Sequence, residues 1–185
     1  MFIDQTWEVI KSDKELNLPD QKEMVANYRC NEIKEEALEK VKDYISKLKH
    51  MSAQIYLDDF GDKCQEIVTA SITYYDENAH YYQKTVFEKV RASVVDKIFD
   101  QLFQCFDSQM KMNRSQVQQR FTEQLKKNNR RKDVVNDKFQ KQAKKLLDDS
   151  LKTFVKNSAD LIIENSGWGD QVMLHQNELL GNLNK

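Results

Sequence analysis

Residues 82–112 read YQKTVFEKVRASVVDKIFDQLFQCFDSQMKM. Val86, Val90, Val94, Ile98, Leu102, Cys105 and Phe106 recur mostly at steps of three and four, and Phe87, Phe99 and Phe103 widen the stripe. That is the period of an α-helix with one buried face. Neither glycine nor proline interrupts the run. At 1.5 Å per residue it spans roughly eight turns, or about 45 Å. A helix of that length needs neighbours with matching stripes, which makes the rest of the chain a search for those neighbours.

They are present on both sides. Upstream, Leu18-Pro19-Asp20 reads as a helix start, with proline at a first helical position and acid in the first turn. Met24, Tyr28, Ile33, Ala37, Val41, Tyr44 and Leu48 then follow at helical steps. Ser52 to Gly61 is open between a loop and a short helical turn. A second stripe carries Cys64, Ile67, Val68, Ala70, Ile72, Tyr74 and Tyr75. Downstream, Asn113-Arg114-Ser115 weakens the pattern. A further helix with Val117, Phe121 and Leu125 is expected after it, and Lys126 to Lys132 reads as a polar, basic loop. Val135, Phe139, Ala143, Leu146, Leu147, Leu151, Phe154 and Ala159 predict another long helix to about Glu164. Gly167 suits a C-terminal cap. Asp170 opens a last helix with Val172, Leu174, Leu179 and Leu180.

The fold class is therefore all-α, an elongated antiparallel bundle of long amphipathic helices. Composition agrees. Among 185 residues there are 4 glycines and 1 proline, too few for the turns of a sandwich, a barrel or an α/β sheet. Charged residues make up 32% and hydrophobic residues 39%, the balance of helices with one buried stripe and a wide solvated face. The expected organisation is a short helix and linker over residues 1–19, then a bundle over 20–185.

Several chemistries fall away on the same page. A net charge of −1 gives no global field toward nucleic acid or anionic lipid, and no nucleic-acid partner is expected. Cys30, Cys64 and Cys105 form no CxxC pair and read as buried, reduced thiols. Glu77 and His80 form one Glu-x-x-His, the spacing of di-iron bundles, but such sites need it twice. No metal site and no catalytic residue is expected. The phosphate-binding pattern GxxxxGK[ST] is absent, so no cofactor or nucleotide site is expected and the chain is not read as an enzyme. No apolar run has the length of a membrane span and no signal peptide stands at the start, so a soluble, cytosolic chain is expected. Tyr74, Tyr75, Tyr81 and Tyr82, around Asp76, Glu77 and His80, read as a packing corner between helices, and Trp168 as an aromatic wedge at a turn.

Four blocks near the start carry more: Trp7-Glu8-Val9-Ile10-Lys11, Asp13-Lys14-Glu15-Leu16-Asn17-Leu18-Pro19, Met24-Val25-Ala26 and Arg29-Cys30-Asn31-Glu32-Ile33. Tyr75-Asp76-Glu77-Asn78-Ala79-His80-Tyr81-Tyr82 and the position of Trp168 add to them. Together they resemble the segment after the GTPase domain in the Root Hair Defective family, dynamin-like, atlastin-type GTPases that fuse endoplasmic reticulum membranes. The resemblance implies a helical stalk fragment that couples head dimerisation to membrane approach. It implies GTP and Mg in a full-length protein but none in this chain. The implied partners are the chain's own GTPase domain, the following helical segments and a second copy as a homodimer. The implied location is the cytosolic face of the endoplasmic reticulum, with membrane contact only through segments downstream. Asp13, Leu18 and Pro19 are the expected hinge beside the head. The alternative is a free-standing helical adaptor or membrane-associated interaction module without catalysis.

Overall fold

A computed structural model describes residues 18–129 and 136–183. They form five helices, with no strand among the described residues: α1 (Leu18–Gln54), α2 (Phe60–Ala79), α3 (Lys84–Asn129), α4 (Asn136–Ala159) and α5 (Gly169–Leu183). The protein is all-α. Its chain forms two compact units: α1 as far as Tyr44 with Ile67–Ile98, and Ile45–Glu66 with everything from Phe99 onward. Helices α1, α2 and α3 each contribute residues to both.

The first unit brings three helices together. Pairing of Ser71 with Ala37, and of Tyr74 with Glu36, sets α2 antiparallel to α1. Tyr75 of α2 pairs with Phe87 of α3, and Asp76 with Arg91, across the short turn that joins the two helices. The buried face of α3 is the stripe read from the sequence: Val86, Val90, Val94 and Ile98 are each at most 5% exposed. On α1 the buried face agrees with expectation at Ala37 and Val41 and differs elsewhere: Ala26 and Cys30 are buried, whereas Met24, Tyr28 and Tyr44 are 63–70% exposed. The seam is built from small side chains, which let helix backbones come close, and the large residues one or two positions away face outward. Ala70, expected in the stripe of α2, is also exposed, and Ser71 takes the inward position.

In the second unit Ile45, Leu48 and Ser52 of α1, Phe60 and Cys64 of α2 and Leu102, Cys105 and Phe106 of α3 are all buried. The ambiguous stretch resolves into helix to Gln54, a turn, and α2 from Phe60. Helix α3 does not stop at Met112. It continues unbroken through Asn113 and through Lys126–Asn129, 46 residues in all, so the expected break and the first part of the expected loop are both helical. Asn113 is wholly buried, and its polarity marks an internal partner rather than an end. Helix α4 closes at Ala159, short of the predicted Glu164. Leu161 and Ile163 turn inward in the connection that follows, and Asn165 and Gly167 take φ of 62° and 72°. Glycine and asparagine tolerate that left-handed geometry best. Gly61 is needed for a different reason: a Cβ there would lie 2.5 Å from the carbonyl oxygen of Asp160.

Candidate functional site

The residues singled out by sequence fall at separate places. Asp13 lies outside the described residues, as do the blocks from Trp7 to Asn17. Leu18 and Pro19 stand at the first positions of α1. The four tyrosines lie at the α2–α3 corner of the first unit, with different surroundings. Tyr75 is 0% exposed, stacks on Phe87 at 5.5 Å between centroids, and donates from its hydroxyl to the Phe87 carbonyl at 3.2 Å. Burial, and next the neighbouring Cys30, push its hydroxyl pKa well up, so it stays a donor. Tyr74 is half-buried. Its hydroxyl donates to Glu36 at 2.6 Å, and Lys40 sits 4.4 Å from its ring centroid. Tyr81 is 65% exposed and packs edge-on against His80, with Tyr82 5.6 Å away.

Asp76 and His80 complete the corner without metal chemistry. Asp76 takes Arg91 through two hydrogen bonds, at 2.7 and 3.0 Å. His80 turns Nδ1 onto the carbonyls of Asp76 and Glu77, at 3.0 and 3.2 Å, so it donates to the open end of α2. Among the described residues no group of three or more His, Cys, Asp or Glu could hold a metal ion, and no helix is long and apolar enough to cross a membrane. The three thiols are free and buried. Burial raises the pKa of both Cys64 and Cys105, which leaves them poor nucleophiles.

Trp168 belongs to the second unit. It is 5% exposed, stacked on Phe106 at 4.7 Å and edge-on to Phe99 and Phe103 at 6.0 and 6.3 Å. The indole therefore ties the start of α5 to the aromatic face of α3.

The sequence reading missed two buried amides on α3, one turn apart. Gln109 is 0% exposed. Its Oε1 accepts from the Leu57 amide at 2.7 Å, and its Nε2 donates to the carbonyls of Ser52 and Ile55 at 2.9 and 2.8 Å. It thus satisfies the end of α1 and the turn into α2. Asn113, equally buried, donates to the Phe154 carbonyl and to Ser158 Oγ, both at 3.1 Å, and accepts from Asn157 at 3.1 Å. The signal was available: Leu102, Phe106, Gln109, Asn113, Val117 and Phe121 keep the step of three or four, with two amides standing in the apolar register.

Packed helices with closed polar rungs and aromatic wedges make the described residues a helical bundle. The chain belongs to the Sey1 three-helix bundle family, whose model matches residues 58–179. It is 38% identical over 110 residues to a SEY1 homologue from Dictyostelium discoideum, covering 59% of this chain and 12% of that protein. It is 30% identical over 124 residues to SEY1 homologue 2 of Paramecium tetraurelia, covering 67% of this chain and 17% of the relative. Protein sey1 of Pyrenophora tritici-repentis is 26% identical over 191 residues, 96% of this chain and 21% of the relative. The chain thus spans a fifth or less of the length of the first two of these relatives, and about a fifth of the third. No solved structure matches. The family read from the sequence is borne out.

Proposed function

We propose that this chain is the stalk segment of a dynamin-like GTPase that fuses endoplasmic reticulum membranes, and that it transmits motion from a GTPase head. The observation that carries the reading is α3: 46 residues of unbroken helix, in a family defined by its bundle. A helix whose hydrogen bonds run without interruption resists bending, and buried stripes on α1 and α2 brace it.

On this reading the stalk does no chemistry. GTP and Mg belong to the head, and two heads on opposing membranes dimerise. Asp13, Leu18 and Pro19 form the hinge: polar chain leads into a proline that opens α1, so bending concentrates there rather than within the helix. Within the tyrosine corner Tyr75, with Tyr74 beside it, and elsewhere the wedge at Trp168, hold helices in register, while Tyr81 stays at the surface. The protein works on the cytosolic face of the endoplasmic reticulum, held there by segments beyond this chain.

The test uses the full reading frame that contains this chain, in proteoliposomes. Replacing residues 13–19 by a flexible Gly-Ser segment of equal length is expected to preserve GTP hydrolysis and to reduce lipid mixing severalfold. Unchanged lipid mixing removes the hinge. A reading frame with no GTPase domain upstream removes the whole proposal and leaves the free-standing adaptor.

A further inference from the structure

Helix α5 has 15 residues, and its two buried side chains are His175 and Leu179. Within the helix the buried side chains are thus one apolar residue and one titratable ring, beside the Trp168 wedge at its start and the pair of Glu178 with Arg114. The imidazole is 8% exposed, and its Nε2 lies 3.2 Å from Asp107 Oδ1 on α3. A carboxylate only accepts, so Nε2 carries the proton and donates. Nδ1 is buried and has no hydrogen-bond partner. In the neutral ring it is a bare lone pair.

We infer that His175 is an acid-sensitive latch: neutral, it seats α5 against α3, and protonated, it releases the helix. Adding the second proton makes Nδ1 a buried donor with no acceptor, in a site that gives the new charge little solvent. The surrounding charges do not compensate. From α3 the ring faces Asp107, Lys111 and Arg114. Asp107 favours protonation, but its other oxygen already holds Lys111 at 2.6 Å. Arg114 and Lys111 both oppose a further positive charge, and Arg114 is paired with Glu178 on α5 itself. Helix α4 also packs against α5 but contributes no charged group to the electrostatics of the ring. Burial and the two cations outweigh Asp107 and set the ring below the ordinary histidine range.

The sign follows from linkage. A histidine with a depressed folded pKa is protonated first in the released state. Its contribution to docking is complete above about pH 6.5 and is lost as pH falls through the folded value, by at most about tenfold in the docking equilibrium per pH unit. This inference concerns α5 alone and stands whether or not the chain is a stalk.

The experiment is hydrogen exchange of the intact chain at pH 7.5 and 5.5, corrected for intrinsic rates. A side-chain NMR titration of His175 accompanies it. Protection of residues 169–183 is expected to fall severalfold at pH 5.5 while α1 and α3 hold, and the ring is expected to titrate below about 6.5. The variant His175→Gln, which keeps a donor toward Asp107 but cannot charge, is expected to show no such pH dependence. Protection of α5 that ignores pH, or that changes equally in His175→Gln, overturns the latch. If His175→Gln fails to dock α5 at all, the wild-type titration decides: a ring titrating at or above the ordinary value overturns it.

Discussion

Replacing Gln109 by leucine keeps the side chain's approximate volume and removes all three of its bonds to the α1–α2 connection. The carbonyls of Ser52 and Ile55 and the amide of Leu57 lose their partner at once. Each bond contributes about 1 kcal/mol net, and a buried amide left without an acceptor adds about 1–3 kcal/mol. The expected loss is about 4–6 kcal/mol, read as a lower urea midpoint by circular dichroism. Hydrogen exchange gives the local measure, because the Leu57 amide should lose its protection before the core of α3 does. A companion, Gln109→Glu, separates hydrogen bonding from shape. Glutamate matches glutamine in size, yet at pH 7 it places carboxylate oxygens against two carbonyl oxygens. It should destabilise at least as much as leucine. A loss below about 1 kcal/mol for the leucine variant, or a near-neutral glutamate variant, would refute the claim that this amide closes the turn.

Two further substitutions probe the corner and the close approach. Tyr75→Ala should cost about 3–5 kcal/mol, since the ring is wholly buried on Phe87, while Tyr81→Ala should stay within about 0.5 kcal/mol; equal losses in thermal melts would mean the two rings are packed alike. Gly61→Ala should lower stability by about 1–3 kcal/mol, a fall of several degrees in Tm, because its Cβ meets the Asp160 carbonyl; an unchanged or raised Tm would contradict that contact.

The long helices were legible because their stripes persist over many turns. Val86, Val90, Val94, Ile98, Leu102, Cys105 and Phe106 were read correctly, since large β-branched and aromatic residues there have one face on which to be buried, whereas Phe103, read as widening the stripe, is exposed. Helix α1 was harder. Ala37 was read, but Ala26 and Cys30 were not, because small residues carry little hydrophobic signal and Met24, Tyr28 and Tyr44 offered a louder stripe on neighbouring faces. Period alone cannot choose between stripes that differ by a fraction of a turn. The break placed at Asn113 failed for another reason. Asparagine is a common helix terminator, and only the opposing α4, with Ser158 and the Phe154 carbonyl, gives it a partner inside the bundle. The family was legible from blocks that lie mainly ahead of Ile33 and in the tyrosine segment, whereas the buried contacts of His175 depend on α3 and α5 meeting 68 positions apart.

Those misreadings share a cause that bears on how the second unit is built. Apolar stripes of similar width permit helices to slide by a turn at small cost, because leucine against leucine is nearly as good in either register. Gln109 and Asn113 remove that freedom. Shifting α3 by one turn against the α1–α2 connection would leave the amide of Leu57 and the carbonyls of Ser52 and Ile55 without partners. Shifting it against α4 would do the same to Asn113 and Asn157. Each slip strands several buried polar groups, at about 1–3 kcal/mol apiece. The two amides therefore penalise alternative registers as well as deepening the native one. A segment that transmits motion needs this property: its helices must not slip past one another under load, and apolar packing alone does not forbid it.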